Sequence, residues 1–219
     1  VMDNKIIKIT KNKLNFVGIS VKPDTTEDSG IAVLDEDLNI KYIDKAYRLN
    51  DIKFFVENLS NKDSLIISID IPLNNMFLIG KWRQESKHYH CFTVGTSYSS
   101  KQIWSTRQSS RGSEIAQTLK EEGYDVFRYN SSYSKCALSL TYPLKSRSPA
   151  GCKYFQEMLK QKLGISGLTN NIMSFSALDA ILGAYTSWQI YYGEQNKTFK
   201  IVNNYKDIPV ISPIEKISC

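Results

Sequence analysis

The stretch Leu65–Leu73 reads LIISIDIPL, an apolar run that carries one carboxylate, Asp70, just before Ile-Pro. A continuous run of aliphatic residues is typical of a strand buried on both faces of a sheet. Pro72 has no N–H to donate and holds the preceding residue extended, so we expect the strand to end at about Ile71. Asp70 would then lie at the carboxyl edge of a central strand, where open α/β sheets bind ligands. The alternative is an Asp that caps the next turn.

Strand and helix signals on both sides of this stretch predict an α/β protein. Three short apolar segments bounded by turns come before it and suggest an antiparallel meander. Between them and the Asp70 strand, apolar residues recur at helical spacing. The predicted strands are Leu14–Val21, Gly30–Leu34, Asn39–Ile43, Tyr124–Tyr129 and a short one over Phe199–Val202. The predicted helices are Asn50–Leu59, Ser113–Glu122, one that begins at Ser148-Pro149 and stops at Gly164, and Phe175–Tyr192.

The chain shows no linker rich in Pro, Gly or Ser that would separate two cores. We therefore expect a single domain over residues 1–219. Residues 74–112 contain scattered aromatic and basic residues without a sustained period. A stretch of this kind predicts an irregular insertion.

Composition and charge narrow the class of protein. The 219 residues are 42% apolar and 23% charged, which is ordinary for a globular protein. The net charge of +6 favours an anionic partner. We find neither an apolar run long enough to span a membrane nor the apolar core of a secretion signal, so we expect a cytoplasmic location. No G-x-S-x-G, Walker A or Rossmann glycine pattern supports a serine hydrolase or a nucleotide-binding loop.

A second carboxylate, Asp179, lies near the start of the last predicted helix, in the sequence SALDAILGAY. One interpretation is a helix-capping role together with Ser176, because a carboxylate complements the positive end of a helix. The other interpretation is functional. Gly183 and Thr186 share the helical face of Asp179, and small residues there would let the helix lie close to the sheet and bring Asp179 near Asp70.

These motifs together resemble an uncharacterised group of predicted nucleases with a ribonuclease-H-like fold. The resemblance rests on G-I-S at 18–20, G-I-A-V-L-D at 30–35, S-I-D-I-P-L at 68–73 and F-S-A-L-D-A-I-L-G-A-Y-T-S-W at 175–188. Residues 126–145, followed by R-S-P-A-G, are similar to the group's strand and basic helix entry. The resemblance implies an α/β fold with a mixed five-stranded sheet, an antiparallel meander plus parallel strands, flanked by helices.

The resemblance also implies a function. Carboxylates from strand one, strand four and the last helix would hold Mg²⁺ or Mn²⁺, with Asp70 and Asp179 as metal ligands, for phosphodiester hydrolysis on nucleic acid. Ser20 stands where the group usually has Asp, so the catalytic set would be Asp70, Asp179 and Ser20. Where the group often has Glu, this chain has Phe127-Arg128, and we expect Arg128 to repel a cation from the site.

Two further hypotheses stand beside the metal-dependent nuclease. Because serine is a poor substitute for an anionic ligand, the protein could be a catalytically inactive relative that binds nucleic acid or a protein partner. An actin-like kinase half shares the sheet order, but it expects a D-x-G-T-type loop after strand one, and Val21–Asp24 lacks it.

Basic residues supply the predicted nucleic-acid contacts. Cations and aromatic rings alternate in the irregular stretch, a pattern that single-strand binding uses, although a solvated surface is the alternative. Two more cations precede the Ser148 helix start, where a helix end favours anions. His88, His90 and Cys91 are too few for a structural zinc site. The predicted contacts are Arg83, Arg107, Arg111, Lys145 and Arg147.

Overall fold

The structure, a computed structural model, describes residues 14–59, 62–72, 100–140, 147–192, 199–202 and 208–213. Its strands form one sheet in the order β3-β2-β1-β4-β5-β7-β6. The strands are β1 (Asn15–Ser20), β2 (Ser29–Leu34), β3 (Ile40–Ala46), β4 (Leu65–Asp70), β5 (Asp125–Tyr129), β6 (Phe199–Val202) and β7 (Val210–Pro213).

Strand β1 lies at the junction of the antiparallel and the parallel parts of the sheet. It runs antiparallel to β2, which runs antiparallel to β3, and parallel to β4, which runs parallel to β5. The predicted α/β class and the ribonuclease-H-like arrangement of a meander plus parallel strands are confirmed. The predicted number of five strands is wrong, because β7 and β6 extend the sheet beyond β5 to seven strands. The β5–β7 pairing has a single register position, Arg128 opposite Val210. The periodicity of the sequence does not predict this pairing.

Helices cover both faces of the sheet. One face is packed against α4 and α5, through a core that includes Phe16, Phe155 and Leu178. The other face is packed against α1 and α2, through a core that includes Ile67 and Leu119. The helices are α1 (Leu49–Glu57), α2 (Ser100–Glu121), α3 (Ser131–Ala137), α4 (Pro149–Leu163) and α5 (Phe175–Tyr192).

Two helices differ from the sequence prediction. Helix α2 begins at Ser100 and not at Ser113, so the predicted irregular insertion over residues 74–112 is wrong from residue 100 onward, and residues 73–99 lie outside the described part. The sequence over the early part of α2 has no sustained apolar period. Gln108 anchors this part of the helix by donating to the Val21 carbonyl at 2.9 Å. The short helix α3 was not predicted.

The predicted ends of α4 are confirmed. The Ser148 hydroxyl accepts a hydrogen bond from the Gly151 N–H at 3.1 Å, Pro149 opens the helix, and Gly164 ends it with a φ of 70°. Within the described ranges, no helix combines the length and the apolar composition that a membrane crossing requires.

Helix α5 lies unusually close to the sheet. A Cβ atom on Gly18 of β1 would lie 1.8 Å from the Ala180 carbonyl oxygen, and one on Gly30 of β2 would lie 2.2 Å from the Ser176 carbonyl oxygen. These strands can only approach α5 because they carry glycine at the crossing points. The close approach brings the carboxylate-bearing part of α5 against the strand ends.

Candidate functional site

Ser20 and Asp70 are the last residues of two neighbouring parallel strands and are paired in register. The prediction that they lie at neighbouring strand ends is confirmed. Because side chains alternate along a strand, Asp70 shares a face with Ser68, whose hydroxyl donates to the Gly183 carbonyl oxygen at 2.6 Å. The Asp70 carboxylate therefore faces α5 and is only 4% exposed.

Asp70 is a buried carboxylate with a raised pKa. Its Oδ1 atom accepts the Ser131 N–H at 3.0 Å, at the first residue of α3. Burial and, second, the negative charge of Asp179 together raise the pKa of Asp70 to about 6, while the Ser131 hydrogen bond and the Lys135 charge oppose the shift. We expected repulsion between the two carboxylates to make one of them titrate high. The pKa of Asp70 is raised, with burial as the larger cause and the Asp179 charge as the second.

Asp179 lies one turn inside α5 and is 3% exposed. The helix-capping interpretation does not hold, because the Ser174 hydroxyl accepts the Ala177 N–H at 3.3 Å, while the Ser176 hydroxyl donates to Asp28 at 3.2 Å. Asp179 instead points toward the strand ends. Its Oδ1 atom lies 2.5 Å from the Lys135 Nζ atom in an ion pair.

Lys135 is the site residue that sequence reasoning missed. It comes from α3, and only 12% of its side chain is exposed. Its ammonium group lies 4.2 Å from the centre of the Phe175 ring and 4.7 Å from that of Phe155, within the range of cation–π attraction. The only signal in the sequence was a basic residue in a short polar segment after β5. Because α3 was not predicted, this residue could not be placed at the site.

A second lysine lies close by. Lys22, just after β1, is 5% exposed, and its ammonium group lies 5.6 Å from the Phe175 ring centre. Burial lowers the pKa of Lys22, the charges of Asp179 and Asp70 act in the opposite direction, and the Arg147 charge adds to the lowering. Two carboxylates and two lysines therefore share this edge of the sheet.

Ser20 offers no charge to this group. Its side chain is fully buried, and its Oγ atom has no hydrogen-bond partner among the described residues. The position that the resemblance assigns to an Asp thus holds a neutral, unsatisfied hydroxyl next to Asp70.

Arg128 does not lie where the sequence suggested. It pairs with Ile69, one residue out of phase with Asp70, so it faces the opposite side of the sheet. The expectation that it repels a cation from the site is wrong. Its neighbour Tyr129 faces the site, and the Tyr129 hydroxyl donates to the Asp179 carbonyl oxygen at 2.6 Å. Burial holds the pKa of Tyr129 well above its usual range, so the phenol keeps its proton.

The predicted nucleic-acid contacts that the structure describes lie around the same edge. Arg111 donates to the Lys22 carbonyl at 2.9 Å and to the Tyr47 carbonyl at 3.0 Å, so it holds the loop after β1. The Arg147 side chain is 54% exposed, with an ion pair to Glu27 at 3.7 Å. Exposed Arg107 acts electrostatically on Asp24 in that loop. Arg83, Lys145, His88, His90 and Cys91 lie outside the described residues.

The donor set does not fit a two-metal site. In the described ranges, His, Cys, Asp and Glu side chains nowhere gather in groups of three that could hold a metal ion. Two ions that clamp an attacking and a leaving oxygen need several anionic ligands, but this edge offers Asp70, Asp179 and the neutral Ser20. That Asp70 and Asp179 bind Mg²⁺ or Mn²⁺ stays a prediction, and the Lys135 ammonium group is already in contact with Asp179.

The strand order and directions define a ribonuclease-H-like α/β fold. No family-level sequence model and no curated protein matches the chain. The structure is similar to that of RuvC from Thermus thermophilus, at 13% identity and a TM-score of 0.43, over 82% of this chain and 97% of that one. It is also similar to T. thermophilus RuvC in complex with a Holliday junction substrate, at 10% identity and a TM-score of 0.44, with the same coverage.

Proposed function

We propose that this protein binds nucleic acid at the carboxyl edge of its sheet. The observation that carries the proposal is the convergence of three arginines, Arg107, Arg111 and Arg147, on the loop that follows β1, beside the edge formed by Ser20 and Asp70. Guanidinium groups bind phosphates in bidentate geometry and are favoured wherever nucleic acids are recognised.

The three arginines play different parts. Arg111 uses two of its donors on backbone carbonyls, so it positions the loop. Arg107 and Arg147 are exposed to solvent, where an incoming phosphate can reach them. Arg147 also precedes the N-terminus of α4, whose positive dipole end adds to the attraction for an anion. The net charge of +6 favours the same partner.

The test is a binding titration with labelled single-stranded DNA, single-stranded RNA, duplex DNA and a DNA–RNA hybrid. We expect micromolar or tighter binding of at least one of these, with an affinity that falls steeply with salt. Substitution of Arg147→Gln should weaken binding and reduce the salt slope by roughly 0.7 to 0.9 per lost phosphate contact.

Lys160→Gln is the matched control. Lys160 is exposed near the C-terminal end of α4, roughly 16 Å along the axis from the helix start that Arg147 precedes, at the usual rise per residue. Lys160→Gln removes the same charge at a distance from the proposed site, so it should lower the affinity for nucleic acid much less than Arg147→Gln does. Equal losses in both variants would show a diffuse charge effect and no site. Absence of binding to all four nucleic acids would refute the proposal.

Metal-dependent phosphodiester hydrolysis is the second candidate, and the strained Asp70 carboxylate favours it. A carboxylate whose pKa is raised to about 6 beside another gains from any cation that neutralises the pair. Cleavage of the same oligonucleotides in millimolar Mn²⁺ that disappears in Asp70→Asn would establish a nuclease. Without cleavage, the protein is the catalytically inactive binding protein of the alternative hypothesis.

A protein partner remains the alternative if no nucleic acid binds. The observation on its side is a group of exposed aromatic residues at the β3 edge of the sheet, where Tyr42 is 59% and Phe54 is 67% exposed. This surface lies on β3 and α1, away from the strand ends that carry Ser20 and Asp70.

A further inference from the structure

We propose that the Lys135 ammonium group is the resident cation of the Asp70–Asp179 pair and stands where a divalent ion would have to bind. The inference concerns cations alone and does not depend on whether nucleic acid binds. It rests on the contacts of Lys135, on the anchoring of α3 and on the neutral Ser20.

The first argument is the contact itself. The Lys135 Nζ atom lies 2.5 Å from Asp179 Oδ1. Mg²⁺ requires carboxylate oxygens at about 2.0 to 2.1 Å in near-octahedral geometry. An ion bound to this oxygen would lie only a few ångströms from the ammonium group in a buried place, where repulsion between like charges is strong. Lys135 and a divalent ion therefore compete for the same oxygen.

The second argument is the surroundings of Lys135. The ammonium group lies between the rings of Phe155 and Phe175, at 4.7 and 4.2 Å from their centres, and the side chain is 12% exposed. Two aromatic faces and a carboxylate hold the charge in place. For a metal to enter, this side chain would have to leave two aromatic rings and a carboxylate that favour a cation.

The third argument is the part that both carboxylates play in holding α3. Asp70 accepts the N–H of Ser131 at the beginning of the helix, and Asp179 pairs with Lys135 in its last turn. A seven-residue helix is marginal without such anchors. The two carboxylates thus help to hold α3 across the strand ends, and a metal ion that recruited both would compete with these two contacts.

The fourth argument is charge balance. Ser20 in place of a carboxylate leaves two acidic groups, Asp70 and Asp179, and the Lys135 and Lys22 ammonium groups supply two positive charges beside them. A third carboxylate at position 20 would leave an uncompensated buried charge, which strongly destabilises a protein. Serine at this position and the two buried lysines are therefore both consistent with a site that holds no metal ion.

The experiment is a Mn²⁺ titration of the full chain, followed by electron paramagnetic resonance of free Mn²⁺ and by calorimetry. We compare the natural protein with Lys135→Met, Lys135→Arg and Lys160→Met. Methionine keeps much of the lysine volume and packs well against aromatic rings. We expect no binding below millimolar Mn²⁺ by the natural protein, Lys135→Arg or the control Lys160→Met. Lys135→Met should bind tighter by roughly a hundredfold, because one buried positive charge is gone.

A second pair of variants tests the role of Ser20. Ser20→Asp alone should gain little affinity, because Lys135 still blocks Asp179. The double variant Ser20→Asp/Lys135→Met should bind Mn²⁺ tightest of all. If Ser20→Asp alone binds as tightly as the double variant, Lys135 does not block the site and the proposal fails.

Two results with the natural protein decide the question even if Lys135→Met does not fold. Micromolar Mn²⁺ binding that Asp70→Asn abolishes would overturn the proposal. The ¹⁵N signal of the Lys135 ammonium group provides the other result. We expect a slowly exchanging ammonium signal that persists unchanged in millimolar Mg²⁺, and its displacement by Mg²⁺ would equally overturn the proposal.

Discussion

At the scale of single residues, the burial of Asp70 makes the stability of the folded protein depend on pH. The side chain is buried beside a second carboxylate, and its pKa rises from the ordinary value of 3.8 to about 6. Between these two pH values the folded protein binds more protons at Asp70 than the unfolded chain. The free energy of unfolding contributed by this group therefore falls as the pH rises from about 4 to 6 and stays low above that.

Asp70→Asn should remove this penalty. A shift of about two pKa units corresponds to roughly 3 kcal/mol, so the unfolding free energy of the variant relative to the natural protein should rise by about 1 to 3 kcal/mol between pH 4 and pH 7.5. The Asn carbonyl can still accept the Ser131 N–H. Urea denaturation at both pH values measures the difference. Destabilisation of similar size at both would show that the Asp70 carboxylate is well compensated.

The glycines under α5 give a second prediction at this scale. In Gly18→Ala the new Cβ would lie 1.8 Å from the Ala180 carbonyl oxygen, which is backbone and cannot move alone. We expect a loss of about 3 kcal/mol or more in unfolding free energy. Gly112→Ala is the milder contrast, because its Cβ would lie 2.8 Å from the Ile71 Cγ1 atom and 3.6 Å from the Asp70 carbonyl oxygen, and the change favours a helix. Equal losses in both variants would contradict the close packing of α5.

At the scale of elements, α3 depends on its anchors. The Asn130 side chain accepts the Tyr133 N–H at 3.0 Å, and Asp70 accepts that of Ser131. Asn130→Ala should lower stability by about 1 kcal/mol and speed amide hydrogen exchange throughout α3. Ser148→Ala, a cap of the longer α4, should speed exchange only in the first turn there. Unchanged exchange in α3 would show that the cap does not hold it.

The elements that could be predicted from the sequence are those with a local signal. The apolar run and Pro72 located β4, and Ser148, Pro149 and Gly164 located α4. The pairing of Ser20 with Asp70 followed from the resemblance and is confirmed.

The missed elements have no such local signal. Helix α2 is anchored by polar side chains on distant carbonyls, and α3 is short and polar. The contact of Lys135 with Asp179 joins residues on different helices, so no spacing in the sequence could indicate it. From the sequence we expected only that one of the two carboxylates would have a raised pKa, and not how large the shift would be.

At the scale of the whole molecule, the sheet has a hydrophobic core on each of its faces. Leu159 of α4 is buried on one face and Leu119 of α2 on the other, both with no exposed surface. If the chain unfolds as the single domain over residues 1–219 that we predicted, Leu159→Ala and Leu119→Ala should each lower the unfolding free energy of the same single transition by about 2 to 5 kcal/mol. Calorimetry checks this. Two transitions, each sensitive to one variant, would contradict a single domain.

A crystal structure of the natural protein grown in millimolar Mn²⁺, with anomalous scattering recorded to locate the metal, tests directly whether Lys135 occupies the cation position. We expect no anomalous peak between Asp70 and Asp179, and the Lys135 ammonium group in contact with the Asp179 carboxylate. An anomalous peak bound by both carboxylates, with Lys135 withdrawn from Phe155 and Phe175, would contradict this expectation.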